Sequence, residues 1–307
     1  MRIVFSKKYT ANNLKHVFRT DKFEKTLRRL LTAKLMTPRD VVEPARPSRS
    51  DLELAHTRRW TDKNLRFKFT RSDSARAELE ITRAVAEAHI MSVGGTILAA
   101  QFALETGIGL NCGGGAHHAF GGHGEGFCLL NDIAVAIKKL LKEGRIKRAL
   151  VIDLDAHQGN GTAAIFRGDK RVYTFSMHQR DLYPVKKEKS SLDVELPAGT
   201  GDAQYLAALK QTLPRVMARA RPDLAVYVAG ADVYKGDMLG GLKLTVNGIR
   251  KRDAFVFGEC RRSVVPVAAV LSGGYAKNFK DTILIHANTL TAAIREWRRL
   301  SKFPEKR

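Results

Sequence analysis

The sequence predicts an α/β fold, built on a parallel sheet with helices on both faces. Short apolar segments of strand length alternate along the chain with longer segments of helical periodicity, which is the order of strand–helix–strand units. Residues 149–152 are wholly apolar, as expected for a strand that is buried on both faces. The chain has 307 residues without an internal repeat or a low-complexity linker, so we predict a single domain over residues 1–307.

The individual elements follow from periodicity and from turn residues. Residues 1–14 predict a first strand and a turn, and residues 37–51, with three of the nine prolines, predict an ordered surface loop. The Ala-rich stretch 76–105 predicts a helix broken near Gly94 and Gly95, and 107–110 predicts a short strand that enters a glycine-rich loop. Later strands are predicted at 148–154, 172–176, 224–229 and 265–271. Later helices are predicted at 131–142, 203–220, 246–260 and 281–300.

The composition indicates a folded protein with a basic surface. Hydrophobic residues make up 44% of the chain, which excludes a disordered protein, and no apolar run is long enough to span a membrane. The N-terminus lacks the apolar centre of a secretory signal, and the three cysteines have no metal-ligand spacing, so we expect reduced thiols in a cytoplasmic protein. The net charge of +22 indicates a surface that is either simply solvated or weakly attractive to polyanions.

The stretch 149–161 carries the strongest chemical signal. An apolar strand ends in three polar side chains at alternate positions, Asp153, Asp155 and His157, which point to one face of a strand. Buried carboxylates are costly unless another group compensates for them, and a divalent metal is the simplest such group. Another apolar strand ends shortly before Asp232, so Asp155, His157 and Asp232 would supply the three ligands of a catalytic zinc site with one open position. Asp153 lies one step deeper, where we expect it to orient a histidine ring.

Further polar groups follow other strands at the same edge of the sheet, where α/β proteins bind their ligands. His117 and His118 lie in the glycine-rich loop. A histidine paired with Asp153 would become more basic, whereas one paired with the neutral Asn160 would stay less basic and suit a general base. Tyr275 follows two glycines that allow close approach of a substrate, and a phenol there can donate a hydrogen bond to an oxyanion. Each residue alone also fits a structural role, such as a helix cap or a packing side chain, but their coincidence at one edge favours a catalytic site.

Five segments occur in a fixed order: GGGAHH at 113–118, GFCLLND at 126–132, DLDAHQGNG at 153–161, GAD at 230–232 and SGGY at 272–275. Together they resemble the zinc-dependent histone deacetylase family, which has the arginase–deacetylase fold. The resemblance implies one zinc ion per chain at Asp155, His157 and Asp232. It also implies His118 as the general base and acid, with His117 beside it as an electrostatic partner of Asp153.

The resemblance further implies a channel for an acylated lysine. Tyr275 would bind the substrate carbonyl, Phe127 and Tyr183 would form aromatic walls, and the Gly126 carbonyl would accept the substrate amide. Gly274, beside Tyr275, is expected to allow close approach of the substrate.

Other implications of the resemblance concern the surroundings of the channel. A structural potassium ion is often present in the family, and is implied here near Asp153 and Ser176. One departure is Val17, which follows His16 where the family commonly has proline. The stretch 71–89 matches poorly and is expected to contribute to the channel rim.

Within the family, the chain is most similar to the class IV branch. This similarity rests on HTRR at 56–59, on the DAHQGNG form of the metal motif and on GDMLGGL at 236–242. Arginase-like enzymes of the same fold bind two manganese ions with further carboxylates, at positions occupied here by Gly159 and Tyr234. A second bridged metal is therefore not expected.

These observations lead to a main functional hypothesis and two alternatives. The main hypothesis is hydrolysis of the acyl-lysine amide of a protein or peptide, where the acyl group is acetyl or longer. An acylated polyamine is the first alternative, although such a substrate would require an acidic rim and the chain is basic. A non-catalytic protein that binds acyl-lysine or polyanions is the second, against which the complete set of Tyr275 and two histidines argues. The sequence predicts no particular oligomeric state.

Overall fold

The protein is built on one parallel sheet of eight strands. The structure is a computed structural model that describes residues 1–11 and 16–300, except for the side chain of Leu300. Within these ranges the strand order is β2-β1-β3-β8-β7-β4-β5-β6, and all neighbouring strands are parallel. The strands in chain order are β1 (Ile3–Val4), β2 (Val41–Val42), β3 (Ile108–Asn111), β4 (Ala149–Asp153), β5 (Val172–Gln179), β6 (Leu192–Leu196), β7 (Leu224–Val228) and β8 (Val267–Val270). The predicted fold class is confirmed.

Helices connect the strands and cover both faces of the sheet. They are α1 (Asp21–Thr32), α2 (Arg49–Leu52), α3 (Arg58–Arg66), α4 (Arg71–Ala77), α5 (Arg83–Thr106), α6 (Asp132–Lys142), α7 (Asn160–Ile165), α8 (Asp202–Ala220), α9 (Val246–Arg262) and α10 (Phe279–Leu300). Short 3₁₀ helices occupy Lys7–Tyr9 and Pro38–Asp40. Polar side chains cap the first turns of three long helices, where backbone N–H groups lack partners: Thr82 caps α5, Asn131 caps α6 and Thr245 caps α9.

Alternate residues of the central strands belong to two different hydrophobic cores. On β4, Leu150 and Ile152 lie in the core that includes residues of α1, α8, α9 and α10. Ala149 and Val151 lie in the other core, which includes residues of α5 and α6. Both faces are therefore apolar, which explains why β4 shows no polar alternation until Asp153 at its end.

The prediction of a helix broken near Gly94 and Gly95 is wrong. Helix α5 continues through both residues, and the predicted start of this helix belongs to a separate helix, α4, that ends at Ala77. The two glycines allow close packing instead. A Cβ atom at Gly94 would lie 2.1 Å from the carbonyl oxygen of Ala45, and one at Gly95 would lie 1.9 Å from the hydroxyl of Tyr9. Tertiary packing thus outweighs the penalty of about 1 kcal/mol for each glycine within a helix.

The structure also differs from the sequence prediction at the edges of the sheet. The first strand is confirmed as β1, but residues 37–51 contain a 3₁₀ helix, β2 and the start of α2 rather than a loop alone. The edge strand β6 was not predicted, because its partly exposed residues alternate with two acidic side chains and form no apolar run.

None of the helices in the described ranges combines the length and the apolar character needed to cross a membrane. Cys112, Cys128 and Cys260 are buried free thiols. The expected cytoplasmic location stays a prediction.

Candidate active site

The three predicted metal ligands meet at the carboxyl ends of β4 and β7. Strand β4 ends at Asp153, so Asp155 and His157 lie in the loop beyond it rather than on the strand, and Asp232 follows β7. His157 Nδ1 lies 3.1 Å from Asp155 Oδ1 and 3.1 Å from Asp232 Oδ2, and all three residues are buried. Ligands of a tetrahedral zinc ion lie about 2.0 Å from the metal and hence about 3.3 Å from one another. The separation and the chemistry of these atoms therefore fit one zinc-type ion.

Hydrogen bonds hold the opposite oxygen atoms of both carboxylates. Asp155 Oδ2 accepts from Ser272 Oγ at 2.9 Å and from the Gly273 amide at 3.0 Å, and Asp232 Oδ1 accepts from the Ala156 amide at 2.8 Å. The oxygens on the other side of each carboxylate are left to face His157. Burial and the charge of Asp155 raise the pKa of the Asp232 carboxyl to about 7. Two carboxylates that repel each other in a buried place favour binding of a cation.

Glycines make the close approach of these carboxylates possible. A Cβ atom at Gly273 would lie 2.2 Å from Asp232 Oδ2, and one at Gly230 would lie 2.4 Å from Asp155 Oδ2. Both distances are far below any normal contact, so a larger residue at either position would displace a ligand. This explains in steric terms why Gly230 and Gly273 occur in the motifs.

The two positions where arginase-like enzymes carry further carboxylates have other structural roles here. A Cβ atom at Gly159 would lie 2.3 Å from Asp153 Oδ2, so this glycine makes room for the carboxylate. The hydroxyl of Tyr234 donates to Asp281 Oδ2 at 3.2 Å. Neither position supplies a further carboxylate.

The two adjacent histidines have different hydrogen-bond partners, as expected from the sequence. His117 Nδ1 lies 2.7 Å from Asp153 Oδ2, and His118 Nδ1 lies 2.7 Å from Asn160 Oδ1. Burial lowers the pKa of His117, but Asp153 and Asp155 outweigh this effect and raise it to about 9. Burial and the positive charge of His117 lower the pKa of His118 well below its usual value. The geometry thus pairs one charged with one neutral imidazole, and each ring has its Nδ1 engaged.

Tyr275 is held in place by an aspartate from the segment 236–242. Its backbone amide donates to Asp237 Oδ2 at 2.6 Å, and Asp237 Oδ1 accepts from the amides of Leu239 and Gly240 at 2.9 and 3.0 Å. The Tyr275 ring lies 6.5 Å from the ring of His157. Burial and the nearby carboxylates raise the pKa of the phenol well above 10, so it remains a hydrogen-bond donor at neutral pH.

A tight turn brings Gly126 and Phe127 to the site. Glu125 and Cys128 exchange two backbone hydrogen bonds, each of 2.9 Å, and the two residues between them have positive φ angles of 50° and 64°. This is the geometry of a type I′ turn, which glycine accommodates more readily than phenylalanine. A Cβ atom at Gly126 would lie only 2.7 Å from His118 Cδ2, so glycine is required for the histidine to approach.

Aromatic rings surround the entrance to the site. The Tyr183 ring packs edge-on against His118 with centroids 5.1 Å apart. Phe127 packs edge-on against Tyr275 at 5.9 Å and stacks on Phe18, also at 5.9 Å. Sequence reasoning missed Phe18, which follows the unusual Val17.

A small pocket of about 40 Å³ lies beside Phe18, Phe127 and Tyr275, which form part of its lining. Its lining residues are Tyr9, Phe18, Thr20, Phe23, Ala88, His89, Ser92, Gly114, Gly115, Ala116, His117, His118, Gly126, Phe127, Cys128, Ser272, Gly273 and Tyr275. The stretch 71–89 contributes Ala88 and His89 to this wall, and the Ala77 carbonyl accepts a hydrogen bond from the Phe127 amide at 2.8 Å. Gly274 does not line the pocket, since a Cβ atom there would face Ala231 and Thr282.

The predicted potassium position lies on two neighbouring strands. Asp153 of β4 is paired in register with Ser176 of β5, and Ser176 Oγ lies 2.9 Å from His178 Nδ1. The potassium ion itself stays a prediction.

Residues 16–290 match the family model for the histone deacetylase domain. The chain belongs to the histone deacetylase family. It is 34% identical to histone deacetylase 2 of Arabidopsis thaliana over 86% of this chain and 70% of that protein. It is 41% identical to an uncharacterized protein of Picosynechococcus sp. over 89% of this chain and 91% of that protein.

Two further comparisons bear on fold and substrate. The chain is 30% identical to the acetoin utilization protein AcuC of Staphylococcus aureus, over 78% of this chain and 67% of that protein. The crystal structure of the HDA15 HD domain superimposes with a TM-score of 0.78 and 23% identity, covering 99% of this chain and 90% of that one, which shows a shared fold. The protein is thus a histone deacetylase-family hydrolase with the arginase–deacetylase fold.

Proposed function

We propose that the protein removes an acyl group from lysine side chains of proteins or peptides, using one zinc ion bound by Asp155, His157 and Asp232. The observation that carries this proposal is the convergence of these three ligand atoms beside a histidine of low pKa and a protonated phenol. Such a set supplies a metal, a general base and an oxyanion donor, which are the parts needed for amide hydrolysis. The similarity to class IV deacetylases, seen in the sequence motifs, is part of the same proposal.

The bound zinc ion would polarise the substrate carbonyl and lower the pKa of a water molecule. His118, whose Nδ1 is engaged by Asn160, presents Nε2 to take a proton from the attacking water. The Tyr275 hydroxyl donates a hydrogen bond to the oxygen that becomes negative during the attack. His118 then gives its proton to the departing lysine amine. His117 pairs with Asp153, and its positive charge lowers the pKa of His118. His118 is therefore unprotonated before the substrate reacts.

The aromatic entrance suits the long, narrow side chain of an acylated lysine. Phe127 and Tyr183 would pack against the methylene groups of the lysine, and the Gly126 carbonyl would accept the substrate amide N–H. The pocket, whose lining includes both Tyr275 and Phe23, would receive the acyl group.

A comparison of kcat/KM between substrates tests whether acyl-lysine is the preferred substrate class. The zinc-loaded protein should be assayed with acetyl-lysine and myristoyl-lysine peptides and with N-acetylspermidine, because one relative is named for the utilization of a small molecule, acetoin. We expect a higher kcat/KM for at least one of the peptides than for the polyamine. A higher kcat/KM for the polyamine would contradict the lysine assignment, and folded, zinc-bound protein without turnover of any of the three would favour a binding role.

A further inference from the structure

Glu125, one residue before Gly126, has a carboxylate with side-chain partners on both of its oxygens. Its Oε1 accepts from Asn160 Nδ2 at 2.7 Å and from the Tyr183 hydroxyl at 3.0 Å, and its Oε2 lies 3.3 Å from His123 Nε2. Its backbone is fixed by the two hydrogen bonds to Cys128. Both ends of the residue are therefore held, and the carboxylate is anchored against α7 and the channel wall.

The contact with Asn160 determines which way that amide points. A primary amide has a donor end and an acceptor end, so it cannot present the same group in both directions. With Nδ2 donating to Glu125, Oδ1 must face His118 Nδ1, where it lies at 2.7 Å. The flipped amide would place its oxygen against the carboxylate with no proton between them. The carboxylate thus selects one of two orientations.

The amide orientation in turn determines where His118 carries its proton. Because Asn160 Oδ1 only accepts, His118 must donate from Nδ1, and a neutral ring then has its lone pair on Nε2. This is the tautomer that a general base facing the substrate requires.

We propose that Glu125 is a positioning residue that acts through Asn160 to fix the ring orientation and the tautomer of His118. The inference rests on the proposed role of His118 as general base. The same carboxylate also accepts a hydrogen bond from the Tyr183 hydroxyl, and so fixes the position of this channel wall relative to His118. Glu125 therefore links the substrate wall to the proton-transfer group.

The charge of Glu125 is satisfied within the chain rather than offered to a substrate. Burial raises its pKa, but the hydrogen bonds from His123, Asn160 and Tyr183 outweigh this effect and lower it, so the carboxylate stays an ionised acceptor. A residue that bound a substrate ammonium group would affect mainly KM, whereas a positioning residue affects kcat.

The first test compares Glu125→Ala with the wild type and with Glu105→Gln, all in the zinc-loaded full chain. Glu105 is exposed at the C-terminal end of α5, outside the site, and so controls for the loss of one negative charge. We expect Glu125→Ala to lower kcat about tenfold or more with little change in KM, because a misoriented base loses part of its contribution. Glu105→Gln should leave both constants nearly unchanged. A rise in KM at constant kcat in Glu125→Ala would overturn the inference.

A second test reverses the donor and the acceptor. In Asn160→Asp the introduced carboxylate faces Glu125, so repulsion should lower kcat at pH 8. Adding Glu125→Gln supplies an amide that donates to this carboxylate, and the double variant should recover most of the loss. Such non-additivity is the signature of direct contact. A double variant no more active than Asn160→Asp would refute the link between the two residues.

A readout independent of turnover separates this inference from the proposed function. Histidine ring ¹⁵N NMR of the zinc-loaded protein, assigned with His118→Ala, should show the Nδ1–H tautomer of His118 in the wild type. Glu125→Ala should show a mixture of tautomers. If the tautomer shifts but the wild type turns over no acyl-lysine, the positioning role stands and the proposed function fails. If the tautomer is unchanged in Glu125→Ala, the positioning role is wrong.

Discussion

His56, a residue of the HTRR segment, should make the stability of the protein sensitive to mild acid. Its ring is buried, with Nδ1 lying 3.1 Å from the Phe120 carbonyl oxygen and Nε2 accepting from the Asn131 amide at 3.0 Å. This pair of contacts requires a neutral ring that is protonated on Nδ1. Asn131 caps α6, so protonation of His56 would disrupt the start of that helix. Burial lowers the pKa of His56 from 6.5 to about 4.

The size of the effect follows from the two pKa values. Because the folded-state pKa is below the unfolded-state pKa, the unfolded chain binds the proton first as pH falls. The contribution of the neutral ring to stability is therefore fully present above pH 6.5 and is lost between 6.5 and about 4. At pH 5 the expected loss relative to pH 7 is about 2 kcal/mol from this one group.

The comparison of the wild type with His56→Gln isolates this contribution. Urea unfolding of both metal-free proteins should be followed by circular dichroism at pH 7 and pH 5. The glutamine variant should be less stable at pH 7, and its deficit in free energy of unfolding should shrink by about 2 kcal/mol at pH 5. A deficit that stays constant would show that His56 titrates alike in both states, and one that grows would show that the folded ring prefers to be charged. Either result would rule out a lowered pKa for the buried His56 ring.

Three further outcomes are expected at the active site. Tyr275→Phe should keep its metal, measured by elemental analysis, but lose about 10²–10³ in kcat, as removal of one oxyanion donor does; near-normal turnover would make Tyr275 a packing residue. His118→Ala should lose more turnover than His117→Ala, because His118 is the neutral imidazole; the reverse ranking in kinetic assays would reassign the base. A myristoyl-lysine peptide should give a higher kcat/KM than its acetyl counterpart, as the proposed similarity to the class IV branch implies; a clear preference for acetyl would contradict this expectation.

The central part of the fold and the ligand cluster could be predicted because their signals are local. Buried parallel strands are apolar throughout, and polar residues that follow them must lie at one edge of the sheet. Asp155, His157 and Asp232 were identified in this way, and the structure brings them together. The pairing of His117 with Asp153 and of His118 with Asn160 also agrees with the expectation. The catalytic roles of these residues stay predictions.

Features that depend on contacts distant in the sequence could not be predicted. The roles of Gly94 and Gly95 in α5 depend on Ala45 and Tyr9, which only the folded structure brings near. The role of Glu125 depends on a turn that closes against α7, 35 residues away. Phe18 gave no signal of its own, because a single phenylalanine after a valine is common in any strand or loop.

The dependence of turnover on bound zinc can be measured by titration. Metal-free protein should be titrated with Zn²⁺ while turnover of an acyl-lysine peptide is measured, with Asp232→Ala as the control. We expect activity to rise in proportion to added zinc and to saturate at one ion per chain, and Asp232→Ala neither to bind zinc tightly nor to turn over the peptide. Saturation at two ions per chain, or full turnover without a bound metal, would contradict the proposed single-zinc site.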